Sequence, residues 1–189
     1  MQVSVEGKMV EVSDGASCAD ALKEGLSGKR FKAAIACKAG DTLLDLTAPV
    51  PTTTETLTLT PVTADTPEGL GLIRHSAAHV MAAAVKKLFP AAKVTIGPSI
   101  ENGFYYDFDS EVTFGPEQLR ALEKEMKKIV SENLRIERFT LPKDEALELV
   151  RKMEEPYKEL LIERIPEGEE ISFYRQGEFT DLCAGPHLD

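Results

Sequence analysis

Four things are scarce in this 189-residue chain: histidine, cysteine, basic side chains and long apolar runs. No apolar run approaches the roughly 20 residues that a membrane-spanning helix needs, so we expect no membrane association. The N-terminus reads MQVSVEGKMVEV, and its alternation of polar and apolar residues predicts a strand, not a signal peptide. The hydrophobic fraction of 42% is sufficient for ordinary globular cores.

The three cysteines, Cys18, Cys37 and Cys183, form an odd and widely spaced set. A disulfide framework normally needs an even number of cysteines, so this pattern argues against one. Free thiols are typical of a reducing compartment. We therefore expect a cytoplasmic protein.

Basic residues are outnumbered, because 22 Lys and Arg face 32 Asp and Glu and leave a formal net charge of −10. A protein that binds nucleic acid alone normally has the opposite balance, since neutralised phosphates supply much of its affinity. If this chain acts on a nucleic acid, something else must hold most of that ligand.

The segment PVTADTP, residues 61–67, interrupts the periodic pattern and divides the chain in two. Residues 1–62 predict two strands, a helix capped by Ser17 and further strands, in the order of a small ubiquitin-like β-grasp domain. This part contains no catalytic constellation, which favours a recognition or spacer role. Residues 63–189 predict helices and strands without strict alternation, so the expected fold class is α+β.

All three histidines fall in two short stretches, RHSAAH and DLCAGPH. His75 and His79 lie one turn apart on a helix predicted to start at Pro67, so their rings share a face. Cys183 and His187 form a second pair with the same spacing. One such pair is usually explained by core packing, but the placement of every histidine in a pair favours a shared polar site. By residue type, the four are also a tetrahedral zinc set.

The paired residues leave three chemical interpretations open. They could bind zinc, or they could act as acid–base and orienting groups without a metal. Cys183 could instead be a nucleophile with His187 as its base, in acyl transfer through a thioester. The short spacing lends that third interpretation little support, because a nucleophile and its base need not be close in sequence.

Two further segments have ordinary local interpretations. The strand predicted in GFYYDFD carries Tyr105 and Tyr106, which point to opposite faces, so only one of them can line a given pocket. Lys158, in EPYKEL, has the local sequence context of an exposed surface lysine.

Four motifs follow the β-grasp module: LIRHSAAHVM, IGPSIENGFYYDFD, PYKEL and FTDLCAGPHL. In this order, the module and the motifs resemble the N-terminal half of bacterial threonyl-tRNA synthetases. The resemblance covers nearly the whole chain. Residues 1–62 resemble the family's TGS domain, and residues 63–189 resemble its editing domain, truncated at the C-terminal end. The paired motifs alone also occur in alanyl-tRNA synthetase editing domains, whereas the TGS-like module and the GFYYDF strand point to the threonyl enzymes.

The resemblance implies hydrolytic proofreading of the 3′ end of tRNA(Thr). A threonine site cannot strongly reject serine, because one missing methyl group is worth only about 1–3 kcal/mol. The family's editing domain therefore uses water to hydrolyse the ester that joins serine to the terminal adenosine. The aminoacylation core, with its ATP, magnesium and zinc, is outside this chain, so the chain is expected to edit but not to charge tRNA.

The family's site residues map onto eight positions of this chain. The catalytic positions are His75, His79, Lys158, Cys183 and His187, and the substrate-binding positions are Gly97, Tyr106 and Asp181. A neutral imidazole or amine could activate water, whereas a cationic Lys158 could stabilise the oxyanion. The threonyl branch edits without metal and the alanyl branch binds zinc, so we expect no cofactor in this chain and keep zinc as the alternative.

One departure from the family's pattern is Ala184, which stands where the family often has arginine.

Two rival functions stay open: a non-catalytic TGS and editing-like binding module of another enzyme, such as a nucleoside kinase, and a structural zinc domain. The whole enzyme is expected to be a homodimer through other domains, and this chain alone a monomer.

Overall fold

A computed structural model describes residues 1–188 as two compact units. The first unit contains residues 1–73 and 185–188, and the second contains residues 74–184. The α+β class predicted from the sequence is confirmed. No helix in the described part of the chain has the length and apolar character needed to cross a membrane.

The first unit is built on one mixed sheet. Its elements are β1 (Gln2–Val5), β2 (Lys8–Glu11), α1 (Cys18–Gly25), α2 (Gly28–Ala33), β3 (Ala34–Ala39), β4 (Thr42–Leu44) and β5 (Leu57–Thr63). The strand order is β2-β1-β5-β3-β4, with β1 and β5 parallel and the other neighbours antiparallel. This is the predicted β-grasp arrangement, with α2 as a helix that the sequence pattern did not predict.

Helix α1 begins where the sequence predicts because Ser17 and Asp20 form a reciprocal cap. The Ser17 hydroxyl accepts from the Asp20 backbone N–H at 3.1 Å, and the Asp20 carboxylate accepts from the Ser17 backbone N–H at 3.1 Å. This satisfies donors that a helix start otherwise leaves unpaired. The apolar face of α1 then buries Leu22 against Val3 and Leu59 of the sheet.

The second unit combines four helices with short antiparallel sheets. Its elements are α3 (Pro67–Leu88, which begins in the first unit), β6 (Lys93–Val94), β7 (Ser99–Ile100), β8 (Gly103–Phe104), β9 (Phe108–Asp109), α4 (Pro116–Glu132), β10 (Glu137–Leu141), α5 (Lys143–Lys152), α6 (Pro156–Glu163), β11 (Ile171–Gln176) and β12 (Phe179–Leu182). Strand β11 lies between β10 and β12 in the largest sheet. One apolar cluster joins α3 to α4, and a second joins α5 and α6 to the sheet.

Helix α3 follows its sequence signals closely. The Thr66 hydroxyl accepts from the Gly69 backbone N–H at 3.0 Å, as expected of an N-cap before Pro67. The helix is rich in alanine, and Ala82 and Ala84 are fully buried. This burial gives the histidines of α3 a rigid support.

The segment that we call the central hairpin, residues 93–109, is less regular than the strand predicted in its GFYYDFD part. Only β6 and β9 pair at its base, and β7 and β8 pair at its tip. Gly97 and Pro98 lie between these ladders, and proline has no N–H to donate. Backbone bonds from Thr95 to Asp107 and from Asp107 to Ile96 keep the two sides together.

Candidate functional site

Seven of the eight predicted site residues lie on four segments of the second unit. Helix α3 carries His75 and His79, the central hairpin carries Gly97 and Tyr106, α6 carries Lys158, and the β12 strand and its end carry Asp181 and Cys183. Each segment is held by its own packing in the apolar clusters described above. The site residues therefore project from a packed scaffold.

Lys158, Asp181 and Tyr106 form a closed polar triangle. The Lys158 Nζ lies 2.8 Å from Asp181 Oδ1, and the Tyr106 hydroxyl donates to Asp181 Oδ2 at 2.6 Å. Lys158 Nζ also donates to the Tyr106 hydroxyl oxygen at 3.2 Å. Lys158 is 3% exposed and Asp181 is 6% exposed, so Lys158 is not the surface residue that its local sequence indicates.

Burial makes the charges of this triangle depend on one another. An isolated buried charge is strongly disfavoured, whereas a hydrogen-bonded ion pair offsets much of the loss of hydration. Burial, followed by the nearby negative charge of Asp181, raises the pKa of Tyr106 far above its ordinary value. Tyr106 therefore stays protonated and donates a hydrogen bond to Asp181. The cation of the triangle is the Lys158 ammonium.

His75 and Cys183 form a second contact, with Nε2 3.0 Å from Sγ. Burial lowers the pKa of His75 below its ordinary value, while the charge of Asp181 and a backbone hydrogen bond at Gly97 oppose the shift. At neutral pH the imidazole is therefore uncharged, with one nitrogen that can accept a proton. The sequence pattern pairs Cys183 with His187, four residues on, and the structure places His75, 108 residues away, within 3.0 Å of the Cys183 sulfur.

Cys183 is positioned by a residue that the sequence analysis missed. The Cys183 backbone N–H donates to the Ser172 carbonyl at 3.1 Å, and the Ser172 hydroxyl donates to the Cys183 carbonyl at 2.6 Å. Ser172 belongs to β11, which pairs with β12, so its role depends on strand register. No local sequence motif signals it.

His79 is buried and uncharged. Its ring meets the ring of Phe179 edge-on, with centroids 4.9 Å apart. Burial is the main cause that lowers the pKa of His79 to about 4, and the charge of Asp181 only partly opposes it. At neutral pH His79 can therefore orient neighbouring groups, but it does not supply a positive charge.

His187 belongs to the first unit. Its backbone N–H donates to Asp45 Oδ1 at 2.8 Å, and its side chain is buried. The adjacent Leu188 packs against Ala36 and Leu72. Its predicted catalytic role, and its membership of a four-residue zinc set, stay predictions.

Within the second unit, the pair that could hold a metal is His75 and Cys183. Their 3.0 Å separation is that of a hydrogen-bonded pair. It is shorter than the separation of about 3.6 Å between a nitrogen and a sulfur bound to one tetrahedral zinc ion. Zinc would therefore have to move the two side chains apart by a few tenths of an ångström.

Gly97 is the residue that lets the Tyr106 ring approach the backbone of the hairpin. A Cβ atom at Gly97 would lie 2.1 Å from Tyr106 Cδ2. That distance is far shorter than any tolerated carbon–carbon contact, so a larger residue must displace the ring. Gly97 thus helps to place the Tyr106 hydroxyl against Asp181.

We expect Gly97→Ala to displace Tyr106 and to lower the free energy of unfolding by about 1–3 kcal/mol, the usual effect of overpacking. Denaturant unfolding monitored by circular dichroism measures the change. Gly103→Ala is the matched control on the same hairpin, because a Cβ there meets nothing within 4 Å. Equal stability of the two variants would contradict the assigned role of Gly97.

Comparison with curated proteins gives relatives that cover this whole chain. It is 58% identical over 188 residues to a threonine–tRNA ligase of Nitratidesulfovibrio vulgaris strain DP4, a match that covers 100% of this chain and 29% of the relative. It is 50% identical over 183 residues to the threonine–tRNA ligase of Clostridium tetani, covering 97% of this chain and 28% of the relative. No protein-family model matches the chain.

The chain matches the N-terminal portion of bacterial threonine–tRNA ligases. The family predicted from the four motifs is therefore confirmed. A more distant relative, the threonine–tRNA ligase of Clostridium botulinum strain Langeland, is still 44% identical over 183 residues. The chain spans less than a third of the length of these ligases.

Proposed function

We propose that this chain is the proofreading portion of a threonine–tRNA ligase and that it hydrolyses Ser-tRNA(Thr). The observation that carries the proposal is the buried triangle of Lys158, Asp181 and Tyr106, near which His75 contacts Cys183. Buried charged groups that serve only stability are readily replaced by apolar ones, so such a cluster in a ligase relative supports a chemical role.

The proposed reaction is attack of water on the carbonyl carbon that joins serine to the terminal ribose of the tRNA. The uncharged His75 imidazole accepts a proton from the water as its oxygen bonds to that carbon. The Lys158 ammonium stabilises the negative charge that develops on the carbonyl oxygen. The ester C–O bond then breaks, and the proton passes to the departing ribose oxygen, which releases free serine.

Asp181 and Tyr106 keep Lys158 in place for this role. Asp181 compensates the ammonium in a buried site, and the Tyr106 hydroxyl bridges the two groups. Because the Lys158 ammonium is held 2.8 Å from Asp181 in an ion pair, oxyanion stabilisation is the role that this geometry favours for the lysine over water activation.

The partner implied by this reaction is the 3′ end of tRNA(Thr) that carries serine. The net charge of −10 opposes strong binding of RNA by this chain alone. We therefore propose that other parts of the ligase supply most of the affinity for tRNA, and that the protein acts in the cytoplasm, where tRNA is charged.

The test is deacylation by the 189-residue chain at low salt and micromolar or higher tRNA. We expect Ser-tRNA(Thr) to be hydrolysed about 10- to 200-fold faster than Thr-tRNA(Thr), the discrimination that one methyl group provides. Reactions without protein give the background rate of ester hydrolysis. Equal rates for the two esters would contradict the proposed selectivity. If neither ester is hydrolysed faster than the background, the proposed activity is contradicted.

A structural zinc site is the second candidate, because His75 and Cys183 are both ligand types that zinc favours and lie side by side, although zinc would have to widen their 3.0 Å contact. Zinc in such a site contributes directly to folding stability. Metal analysis of protein purified without added zinc tests it. Less than about 0.1 equivalent of bound zinc in folded protein would exclude a structural role.

A further inference from the structure

We propose that Glu155 is a positioning residue for the site, which it serves by anchoring the start of helix α6 and hence Lys158. Glu155 is not among the residues that the sequence motifs indicate, and it is 1% exposed. A carboxylate so deeply buried is stable only when charged or hydrogen-bonded partners compensate it. The inference rests on which groups compensate the Glu155 carboxylate.

Both carboxylate oxygens of Glu155 are occupied by donors from other elements. Oε2 accepts from the Val94 backbone N–H at 2.9 Å, and Oε1 lies 2.6 Å from Lys86 Nζ. Lys86 Nζ also donates to the carbonyls of Ala92 at 2.9 Å and Pro90 at 3.1 Å. The Lys86 ammonium thus forms an ion pair with Glu155 and two hydrogen bonds to backbone carbonyls.

The three elements that meet at Glu155 all carry site residues. Lys86 lies in the last turn of α3, the helix that carries the two histidines. Val94 belongs to β6, which pairs with β9 in the hairpin that carries Tyr106. Glu155 itself is the N-cap of α6, and its carbonyl accepts from the Lys158 backbone N–H at 3.1 Å. Glu155 thus links α3, the central hairpin and α6, the three segments that carry most of the site residues.

The consequence for Lys158 is geometric. Lys158 lies one helical turn after Glu155, so a shift or rotation at the start of α6 moves its ammonium relative to Asp181. Reacting groups must be held to within a fraction of an ångström, and a misplacement of about 1 Å lowers a rate by about 10²-fold. Glu155 therefore acts on the reaction through Lys158, without touching the substrate.

The decisive substitution is Glu155→Gln. Both partners of Glu155 are donors, and a glutamine amide offers only one acceptor oxygen, so its NH₂ group must face a donor. Glu159→Gln is the matched control on the same helix, because Glu159 pairs with Arg151 at 2.6 Å in an exposed position. Lys86→Arg keeps the positive charge opposite Glu155 and should restore most of the function that a Lys86→Met variant loses.

This inference rests on the proposed function for its kinetic readout, and a second readout is independent of activity. The kinetic readout is kcat and KM for Ser-tRNA(Thr). The second is the ¹⁵N resonance of the Lys158 ammonium in lysine-labelled protein, identified by its absence in Lys158→Arg. We expect Glu155→Gln to lower kcat by about 10²-fold, to change KM less than about threefold, and to shift the Lys158 resonance. Glu159→Gln should match the unmodified chain in both.

An unchanged kcat and an unmoved Lys158 resonance in folded Glu155→Gln would overturn the proposal and leave Glu155 as a stabilising residue only. If that variant does not fold, Glu155→Asp decides, because it keeps the charge but shortens the side chain by one methylene. The same two results in Glu155→Asp would overturn the proposal. If the unmodified chain shows no hydrolysis, the proposed function fails, and the Lys158 resonance alone still tests the positioning role.

Discussion

Replacing Lys158 with methionine is expected to lower the rate of Ser-tRNA(Thr) hydrolysis by about 10²- to 10³-fold, the usual effect of removing one group that stabilises an oxyanion. The same change should lower the free energy of unfolding by about 3–5 kcal/mol, because it leaves the buried Asp181 carboxylate without its counter-ion. Single-turnover deacylation and denaturant unfolding measure the two effects.

The double variant Lys158→Met with Asp181→Asn separates stability from chemistry. Removing both charges leaves no unpaired buried ion, and the introduced amide oxygen can still accept from the Tyr106 hydroxyl, so most of the stability should return. The rate should stay low because the ammonium is absent. Lys127→Met, which breaks an exposed ion pair with Glu123, should leave stability nearly unchanged because water screens that pair. Recovery of the rate in the double variant would show that Lys158 has no chemical role.

Substitutions at His75 and Cys183 are expected to differ in severity. His75→Ala should lower the rate by about 10²- to 10⁴-fold, because it removes the group that accepts the proton of water. Cys183→Ala should lower the rate less and leave the fold nearly intact, since the thiol then only lines the site beside the His75 ring. Deacylation rates of both variants, with circular dichroism as the check of folding, measure this order.

The same two variants distinguish the alternative roles of Cys183. If Cys183 is a nucleophile, Cys183→Ala abolishes hydrolysis, and a seryl thioester can be trapped in the unmodified chain. If it is a zinc ligand, the unmodified protein holds one equivalent of zinc that Cys183→Ala loses together with stability. The first result would contradict the direct attack of water proposed above, and the second would contradict a site without metal.

Elements defined by local signals could be predicted from the sequence. The cap at Ser17 and the start of α3 at Pro67 each use residues within one turn. The alternation of β1 and β2 likewise indicates a strand pair. The central hairpin was predicted less well, because Gly97 and Pro98 break its ladder in a way that periodicity does not reveal.

The candidate site was only partly predictable. The two four-residue spacings singled out histidine and cysteine as the residues to examine, and the resemblance added Lys158, Tyr106 and Asp181. Local sequence by itself placed Lys158 on the surface, whereas it is buried. The division of the chain into domains at residue 62 and the catalytic roles of the eight residues stay predictions that the experiments above test.

The sequence by itself determined the α+β class, the β-grasp order of the first unit and the ligase family, because those depend on short-range periodicity, caps and the order of motifs. The tertiary structure alone decided which side chains meet. His75 contacts a residue 108 positions away, and Tyr106 contacts one 75 positions away. Such contacts follow from packing and strand register, which no local pattern specifies. For the same reason, the sequence did not indicate a role for Glu155, whose partner Val94 lies 61 positions away.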